Sequence, residues 1–463
     1  MFIFYLLATL FLLIEEYIRL SVGGNYNSIL PEFVLVIIYF TSFVVYLIKY
    51  RKNNLFCFET IFLFFGFLIT FFDYLVLSTT PDSGLIGSLF GRYSDDVRIK
   101  TLFVSMLAMH IFILGCYISD KKCVSTDISD TLPKLSNKCN VQDLKFASTL
   151  LTAATLGYFM YLYSTGYVAT WFRYGNDSSD YTNTKVVYLT VLCLSSTVTQ
   201  FTQYIGQTFS SLKDLFKRIN KFYVIVIGTI TFLLLISGNR NEALYVIMPM
   251  IACYSILVKP ITNRQFLILF FIGFLLMVII GLTRQVGVGN GLDLELGISL
   301  FDMTRDFGYA NIDSMYLIED TDLHGAKGFN MGIISLLSSI PFAGGVLVSL
   351  FGIEEFTRSA IATTEGMNIT YTGLGTSLVG DTYYTGGIIF VLVYFFLLGR
   401  LMSYLHSQFY FRKVINVYTL VIYAFMFSNA IYCLRSEWYT SFRYIGFSIV
   451  LLFICLILKK GKA

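Results

Sequence analysis

The amino-acid sequence predicts an all-α protein that passes through a membrane many times. Of its 463 residues, 56% are hydrophobic and only 13% are charged, and the mean hydropathy is +0.70. A water-soluble surface needs roughly a quarter to a third of its positions charged, so this chain cannot cover itself in water. Soluble enzymes, secreted domains, nucleic-acid binders and disordered chains are therefore excluded, and the lipid bilayer is the first expected partner.

Each predicted span is a run of mostly apolar residues. A transmembrane helix needs about 20 such residues. Twelve runs meet or approach this length, at residues 2–20, 30–49, 55–78, 101–119, 146–164, 187–208, 222–237, 243–258, 266–283, 386–403, 416–434 and 442–458. Residues 1–463 then form a single transmembrane domain, and its longest connection is an extracytoplasmic loop over about residues 284–385.

A further apolar stretch, residues 331–350, lies within this loop. It is interrupted by Pro341 and by the Gly344-Gly345 pair, and both residue types break helices. A thirteenth span would also move the basic C-terminal residues out of the cytoplasm. We therefore expect two short helices here, at or just inside the outer surface of the membrane.

The connections between the runs differ in their basic residues. With both termini in the cytoplasm, the inner segments hold 15 Lys and 5 Arg, and the outer segments hold 3 Lys and 10 Arg. Positive charge favours the cytoplasmic side, so we expect this orientation. The inner connections are too short for a nucleotide-binding domain, and no phosphate-binding glycine motif is present. An ATP-driven pump is therefore not expected, nor is any cofactor.

Arginines in the outer segments indicate an anionic ligand, because the guanidinium fork grips phosphate oxygens in pairs. Arg240 lies between two short apolar runs, where an ionisable side chain is costly and is a candidate for function. The remaining candidates lie at or near predicted helix ends, or flank Arg240 and could orient it: Arg284, Arg435, Arg443, Asn239 and Glu242. The alternative is that each arginine pairs with a loop carboxylate, closes a turn or reaches lipid headgroups.

Two residues in the outer segments are candidate proton acceptors. The candidates are Asp381, at the start of the tenth run, and His324, the only histidine in an outer segment. Either could instead have a purely structural role, and Glu242 and Glu437 are weaker choices. The acidic run at 319–322 could bind a divalent cation, but such runs are more often solvated, so we expect no metal.

Aromatic residues in the outer segments could pack on sugar rings. Trp438 and Tyr383 are the candidates nearest the other site residues. The alternative is the belt of aromatic side chains that membrane proteins place at the bilayer surface.

The second half of the chain resembles the Wzy-type O-antigen and capsular polysaccharide polymerases, which are relatives of the O-antigen ligases. The residues that carry the resemblance are SGNRNEAL at 237–244, GLTRQ at 281–285, GFNMGIISLLSSIP at 328–341, TGLGTSLVGDTYYTGGIIFVLVYFFLLGR at 372–400 and LRSEWY at 434–439. The order of these motifs around one large loop is more specific than any one of them.

The resemblance implies a GT-C-like architecture in the bacterial inner membrane and a glycan substrate linked to undecaprenyl pyrophosphate. It also implies that Arg240, Arg284 and Arg435 bind the pyrophosphate, and that a flippase and a chain-length regulator of the same pathway are partners. The family's histidine-bearing stretch departs from its pattern here, because residues 368–381 contain no histidine. The identity of the base therefore stays open.

Two other functions remain possible on the sequence alone. One is transport, either as a flippase for the lipid-linked unit or as a secondary carrier. A carrier is expected to show repeated halves and broken midplane helices, and no clear repeat is present. The other is an O-antigen ligase, which hands a finished glycan to a different acceptor.

Overall fold

A computed structural model describes most of the chain. The described residues are 2–21, 32–51, 54–71, 74, 90–120, 134–135, 141–171, 184–205, 207, 212–237, 240–286, 300–338, 340, 344–350, 358–367, 376–412 and 414–460.

This part of the chain is helical apart from one pair of two-residue parallel strands, β1 (Lys134–Leu135) and β2 (Val414–Ile415). The helices are α1 Phe2–Ser21, α2 Glu32–Tyr46, α3 Phe58–Gly66, α4 Asp95–Asp120, α5 Val141–Ser164, α6 Tyr167–Thr170, α7 Thr184–Thr202, α8 Leu212–Arg218, α9 Lys221–Ile236, α10 Arg240–Leu257, α11 Asn263–Val286, α12 Leu300–His324, α13 Phe329–Ser338, α14 Gly344–Leu350, α15 Ser359–Gly366, α16 Leu378–Ser407, α17 Val417–Asn429 and α18 Thr440–Lys460. Wider π turns extend three of them, at Leu47–Arg51, Phe67–Phe71 and Gln408–Arg412.

All twelve predicted apolar runs coincide with helices. Two short helices, α13 and α14, cover most of the described part of the 331–350 stretch, as expected, and the Gly344-Gly345 pair begins α14. The third run is described as helix over Phe58–Phe71, and most of its remainder lies outside the described residues.

Among the described residues, four helical segments are long and apolar enough to cross a membrane: Val34–Arg51, Asp95–Asp120, Leu378–Tyr410 and Thr440–Lys459. Five apolar helices are shorter: Ile3–Glu15, Phe58–Phe71, Lys221–Ile236, Glu242–Leu257 and Val417–Asn429. A helical membrane protein is thus confirmed. The count of twelve spans, the GT-C-like architecture and the cytoplasmic position of the termini stay predictions.

Helix α11 carries a large apolar surface. Several of its large apolar side chains are about half exposed, namely Leu267, Ile268, Leu269, Phe271, Ile272 and Leu275. A helix surface of this kind would be unstable in water and is stable against acyl chains.

Helices α4 and α16 pack closely against each other. A Cβ atom added to Gly399 would lie 2.2 Å from the Phe112 carbonyl oxygen, and one added to Gly115 would lie 2.3 Å from the Phe396 carbonyl oxygen. Small residues at membrane helix interfaces allow backbones to approach this closely. The Cys116 thiol also donates to the Gly399 carbonyl at 3.3 Å.

A buried ionic cluster joins four helical segments at the end of the bundle opposite the loop helices. Arg51 Nη2 donates to Glu59 Oε1 at 2.7 Å, and its Nη1 donates to Asp120 Oδ1 at 3.0 Å. Ser403 and Tyr46 donate to the two oxygens of Asp120 at 2.6 and 3.1 Å. Arg51 is one of the five arginines expected in the inner segments, whereas the structure places it inside the bundle, 3% exposed.

Candidate functional site

The candidate site lies where the loop helix α12 meets the first turns of α16 and the connection between α17 and α18. We call it the carboxylate–arginine cluster and define it as Asp313, Asp381, Arg435, Glu437 and Arg443. Asp313 comes from α12, Asp381 from the start of α16, and the other three from the connection and the first turn of α18. Residues from both halves of the loop and from the last helix pair therefore meet at one place.

A break in α16 positions the Asp381 segment. Gly387 has φ 64° and ψ −163°, a conformation that only glycine adopts readily. The turn before the break is tied to the link after α12, because Lys327 N donates to the Tyr384 carbonyl at 3.0 Å and Gly328 N donates to the Thr385 carbonyl at 2.9 Å. These bonds satisfy carbonyls that the broken helix leaves without intrahelical partners.

The Asp381 segment also packs directly on α12. Ser377 caps the segment by accepting from Gly380 N at 3.4 Å, and the Ser314 hydroxyl donates to Ser377 Oγ at 2.6 Å. A Cβ atom on Gly380 would lie 3.0 Å from the Ser314 Cα atom. The missing side chain at Gly380 therefore permits the close contact between the two helices.

Asp381 holds the α17–α18 connection in place. Its side chain is fully buried, and Oδ2 accepts a hydrogen bond from the Trp438 backbone N–H at 2.7 Å. The Trp438 carbonyl accepts from the Tyr394 hydroxyl at 3.2 Å. The peptide groups on both sides of Trp438 are thus fixed by α16.

Glu437 lies in a mixed environment. Burial raises the pKa of its carboxyl, while a hydrogen bond from Tyr439 and the charges of Arg358 and Arg443 act in the opposite direction. Arg443 is half-buried in the first turn of α18. The Glu437 carboxylate therefore has two arginines within electrostatic reach.

Asp313 is the group in the cluster that the sequence analysis missed. Its side chain is fully buried, and neither carboxylate oxygen has a hydrogen-bond partner within the described part of the chain. Burial raises its pKa to about 7, and the charge of half-buried Arg435 acts in the opposite direction. The polar sequence around Asp313, DFGYANIDSM, gave no motif or apolar flank to mark it.

Of the predicted site residues, the structure thus brings together Asp381, Arg435 and Arg443. Arg240 begins α10 and Arg284 lies near the end of α11, but their side chains are not among those described, and Asn239 is also outside the described residues. Whether these arginines share the cluster stays a prediction.

The start of α10 nevertheless lies at the same end of the bundle. The Tyr245 hydroxyl donates to Asn429 Oδ1 at 3.0 Å, and Asn429 Nδ2 donates to the Ser441 hydroxyl at 2.9 Å. Glu242, one turn before Tyr245, is close enough to Tyr444 for their charges to interact. The predicted supporting residue Glu242 therefore faces α18, near the cluster.

His324 lies apart from Asp313. It ends α12, about 16 Å further along the helix axis. Its side chain is 64% exposed, and Nδ1 lies 2.8 Å from Asp320 Oδ1. A role for His324 would therefore be at the surface of the loop.

The two predicted glycan-stacking residues are both packed against protein. Trp438 is 5% exposed and packs edge-on against Phe390, and Tyr383 is 3% exposed. The Tyr383 hydroxyl donates to Asp322 Oδ1 at 3.0 Å and lies 3.0 Å from the Tyr17 hydroxyl. Stacking on a sugar ring would require these contacts to open.

The comparison with protein families decides the identity of the chain. The family model described as O-antigen polysaccharide polymerase Wzy matches residues 1–461. The chain belongs to the Wzy family. Wzy proteins are membrane polymerases of the glycosyltransferase type that act on lipid-linked repeat units in polysaccharide biosynthesis. No curated protein and no solved structure matches the chain.

The match extends the resemblance seen in the second half to nearly the whole Wzy chain, and it does not favour the transporter or ligase alternatives. In the part of this Wzy protein that the structure describes, no three His, Cys, Asp or Glu side chains gather as ligands for a metal ion.

Proposed function

We propose that this Wzy protein joins oligosaccharide repeat units, carried on undecaprenyl pyrophosphate, into O-antigen or capsular polysaccharide. The reaction takes place at the outer leaflet of the bacterial inner membrane, and both termini lie in the cytoplasm. The observation that carries this proposal is the carboxylate–arginine cluster, in which two half-buried arginines lie beside three buried or half-buried carboxyl groups under a loop helix.

The arginines hold the pyrophosphate of the growing chain. Arg435 and Arg443 supply two guanidinium groups in the cluster, and Arg240 and Arg284 complete the cradle from α10 and α11. Glu242 and Asn239 orient Arg240. As the bond to the sugar breaks, negative charge develops on the leaving pyrophosphate, and fixed guanidinium groups stabilise that charge without the reorganisation that water needs.

The transfer itself is a substitution at the anomeric carbon. A hydroxyl of the incoming lipid-linked unit attacks this carbon, the bond from the carbon to the pyrophosphate oxygen breaks, and undecaprenyl pyrophosphate leaves with the electron pair. The proton of the hydroxyl passes to a base, for which Asp381 and His324 are the candidates from sequence. Burial of Asp381 beside the Trp438 backbone favours the cluster over the exposed His324.

The loop side of the cluster supplies the glycan contacts. Tyr383 and Trp438 are the aromatic candidates, and Lys100 lies over the rings of Tyr383 and Tyr17 at 5.9 and 5.5 Å. A flippase delivers the lipid-linked unit and a chain-length regulator limits the product. Both are partners of the same pathway in this proposal.

The test is the polysaccharide ladder of a deletion strain that carries the wild-type gene or an arginine variant. Arg435→Ala should lower the rate of chain elongation by about 100-fold or more, as expected for loss of a group that stabilises transition-state charge. Single repeat units should still reach the surface. Arg435→Lys should be poorly tolerated, because lysine lacks the fork. Arg264→Ala, an exposed arginine outside the cluster, is the matched control.

Other outcomes identify the alternatives. Lipid-linked units that accumulate on the inner leaflet would indicate a flippase. Polymers that form normally but are not transferred to their final acceptor would indicate a ligase. A normal ladder from a well-expressed Arg435→Ala variant would contradict the proposed pyrophosphate site.

A further inference from the structure

Asp313 has no structural explanation within the described part of the chain. A buried carboxylate normally accepts hydrogen bonds or pairs with a cation, because an unsatisfied buried charge is costly. Both oxygens of Asp313 lack a hydrogen-bond partner there, although they lie within the electrostatic reach of Arg435. Such an unsatisfied group at a ligand site indicates that the ligand supplies its partner.

We propose that Asp313 is the base of the polymerase reaction and accepts the proton of the acceptor hydroxyl. This inference rests on the proposed function and deepens it, since it names the proton acceptor that the sequence leaves open. The hydroxyl donates to one free oxygen of Asp313 while Arg435 holds the pyrophosphate of the donor. When the new glycosidic bond forms, the proton moves to Asp313 and undecaprenyl pyrophosphate leaves with the electron pair of the broken bond.

Asp381 then acts as a positioning residue. Its Oδ2 is occupied by the Trp438 N–H, so its charge and geometry serve to hold the connection that carries Arg435 and Glu437. Asp381 Oδ1 lacks a hydrogen-bond partner within the described residues, whereas at Asp313 both oxygens lack one. Asp313 can therefore accept from a substrate hydroxyl without losing a bond that holds the protein together. His324 lies at the far end of α12 and is too distant from Asp313 to exchange a proton with it directly.

The protonation of Asp313 suits this role. A base works best when its pKa lies near the working pH, and burial raises the pKa of Asp313 to about 7. The charged and titratable groups facing it are Arg435 from the α17–α18 connection and Tyr93 from the turn before α4. Tyr93 stays neutral near neutral pH, because burial raises its pKa. The buried carboxyl of Asp381 lies in the same cluster, so it is the loss of the pH dependence in Asp313→Asn that assigns the profile to Asp313.

The test uses the full-length protein in liposomes with lipid-pyrophosphate-linked repeat units, and measures the initial rate of polymer formation between pH 5.5 and 8.5. The wild-type rate should rise with pH through about 7. Asp313→Asn should lower kcat by at least about 100-fold at the alkaline end of this range and should lose the dependence of the rate on pH, with KM for the lipid-linked unit changed by only a few-fold.

Asp381 provides the matched comparison. Asp381→Asn keeps an oxygen that accepts from the Trp438 N–H, so it should lose much less activity than Asp313→Asn, whereas Asp381→Ala removes that acceptor and should lose more. If Asp381→Asn is as inactive as Asp313→Asn while retaining its fold and KM, the assignment of the base to Asp313 is overturned. Asp313→Asn with a wild-type rate and pH profile also overturns it.

Two further measurements separate folding and function. If Asp313→Asn does not fold, Asp313→Glu keeps a carboxylate and should give an active protein with a shifted pH profile, and an unshifted profile contradicts the assignment. If the wild-type protein makes no polymer, or Arg435→Ala leaves polymerisation intact, the proposed function itself fails. Failure of Asp313 alone leaves the polymerase and its arginines unaffected.

Discussion

The reciprocal glycine contact between α4 and α16 predicts a large effect from a single methyl group. In Gly399→Ala the new Cβ would lie 2.2 Å from the Phe112 carbonyl oxygen. Real Cβ atoms do not come closer than 3.0 Å to a neighbour, and here the neighbour is backbone that cannot rotate away. The two helices must therefore separate by about 1 Å along this contact.

The cost can be worked out from three contributions. Overpacking of a well-packed interface costs about 1–3 kcal/mol, and a backbone obstacle places this case at the upper end. Separation also stretches the hydrogen bonds from Cys116 and Ser119 to the carbonyls of Gly399 and Arg400. Alanine returns about 1 kcal/mol because it favours helix over glycine. The net expectation is a loss of about 2 kcal/mol.

The assay is equilibrium unfolding in mixed micelles, followed by far-UV circular dichroism as the SDS fraction rises. Gly228→Ala is the matched control, because a Cβ there meets nothing within 4 Å and should stabilise α9 by about 0.5–1 kcal/mol. The two Gly→Ala variants should therefore differ by about 3 kcal/mol in unfolding free energy. Equal stabilities would refute the close packing of α4 on α16.

Three further changes test other parts of the structure. Arg51→Ala leaves the buried carboxylates of Glu59 and Asp120 without their cation and should lower the unfolding free energy by about 3–5 kcal/mol in the same micelle assay; no loss would argue against a buried ion pair. Gly387→Ala forces a side chain into a glycine-only conformation and should cost about 1–3 kcal/mol and reduce polymer yield, which a ladder indistinguishable from that of Gly228→Ala would contradict. The stability that the raised pKa of Asp313 contributes is complete below the unfolded pKa and is lost as pH rises through about 7. Melting curves at pH 4.5 to 7.5 should therefore show the wild type losing stability relative to Asp313→Asn as pH rises, and parallel curves would disagree with the buried, unpaired carboxyl.

The helices were predictable because apolar length dominates the sequence. Each of the twelve runs coincides with a helix in its described part, and the loop stretch at 331–350 contains two short helices as expected. The break at Gly387 was not predicted, because a helix can tolerate two adjacent glycines such as Gly386 and Gly387. Only the backbone angles show that the helix is interrupted there. The pattern of hydropathy predicts where helices form, but it does not predict where their backbone is broken.

The candidate site was only partly accessible from sequence. Asp381, Arg435 and Arg443 were selected because they lie at the ends of apolar runs, and the structure brings them together. Asp313 was missed because its significance comes from burial and from the proximity of Arg435, which lies far away in the chain. The burial of Arg51 was also missed, because a basic residue at the end of an apolar run is usually exposed to solvent.

The ionic cluster around Arg51 bears on the order in which the chain assembles during synthesis. Arg51, Glu59 and Asp120 all belong to the first 120 residues, so their ion pairs can form as soon as α4 has entered the bilayer. Ser403, which completes the hydrogen bonds of Asp120, is made 283 residues later. The early helices can thus form their ion pairs first. The late helix α16 then supplies the Ser403 hydroxyl and packs Gly399 against Phe112 of α4.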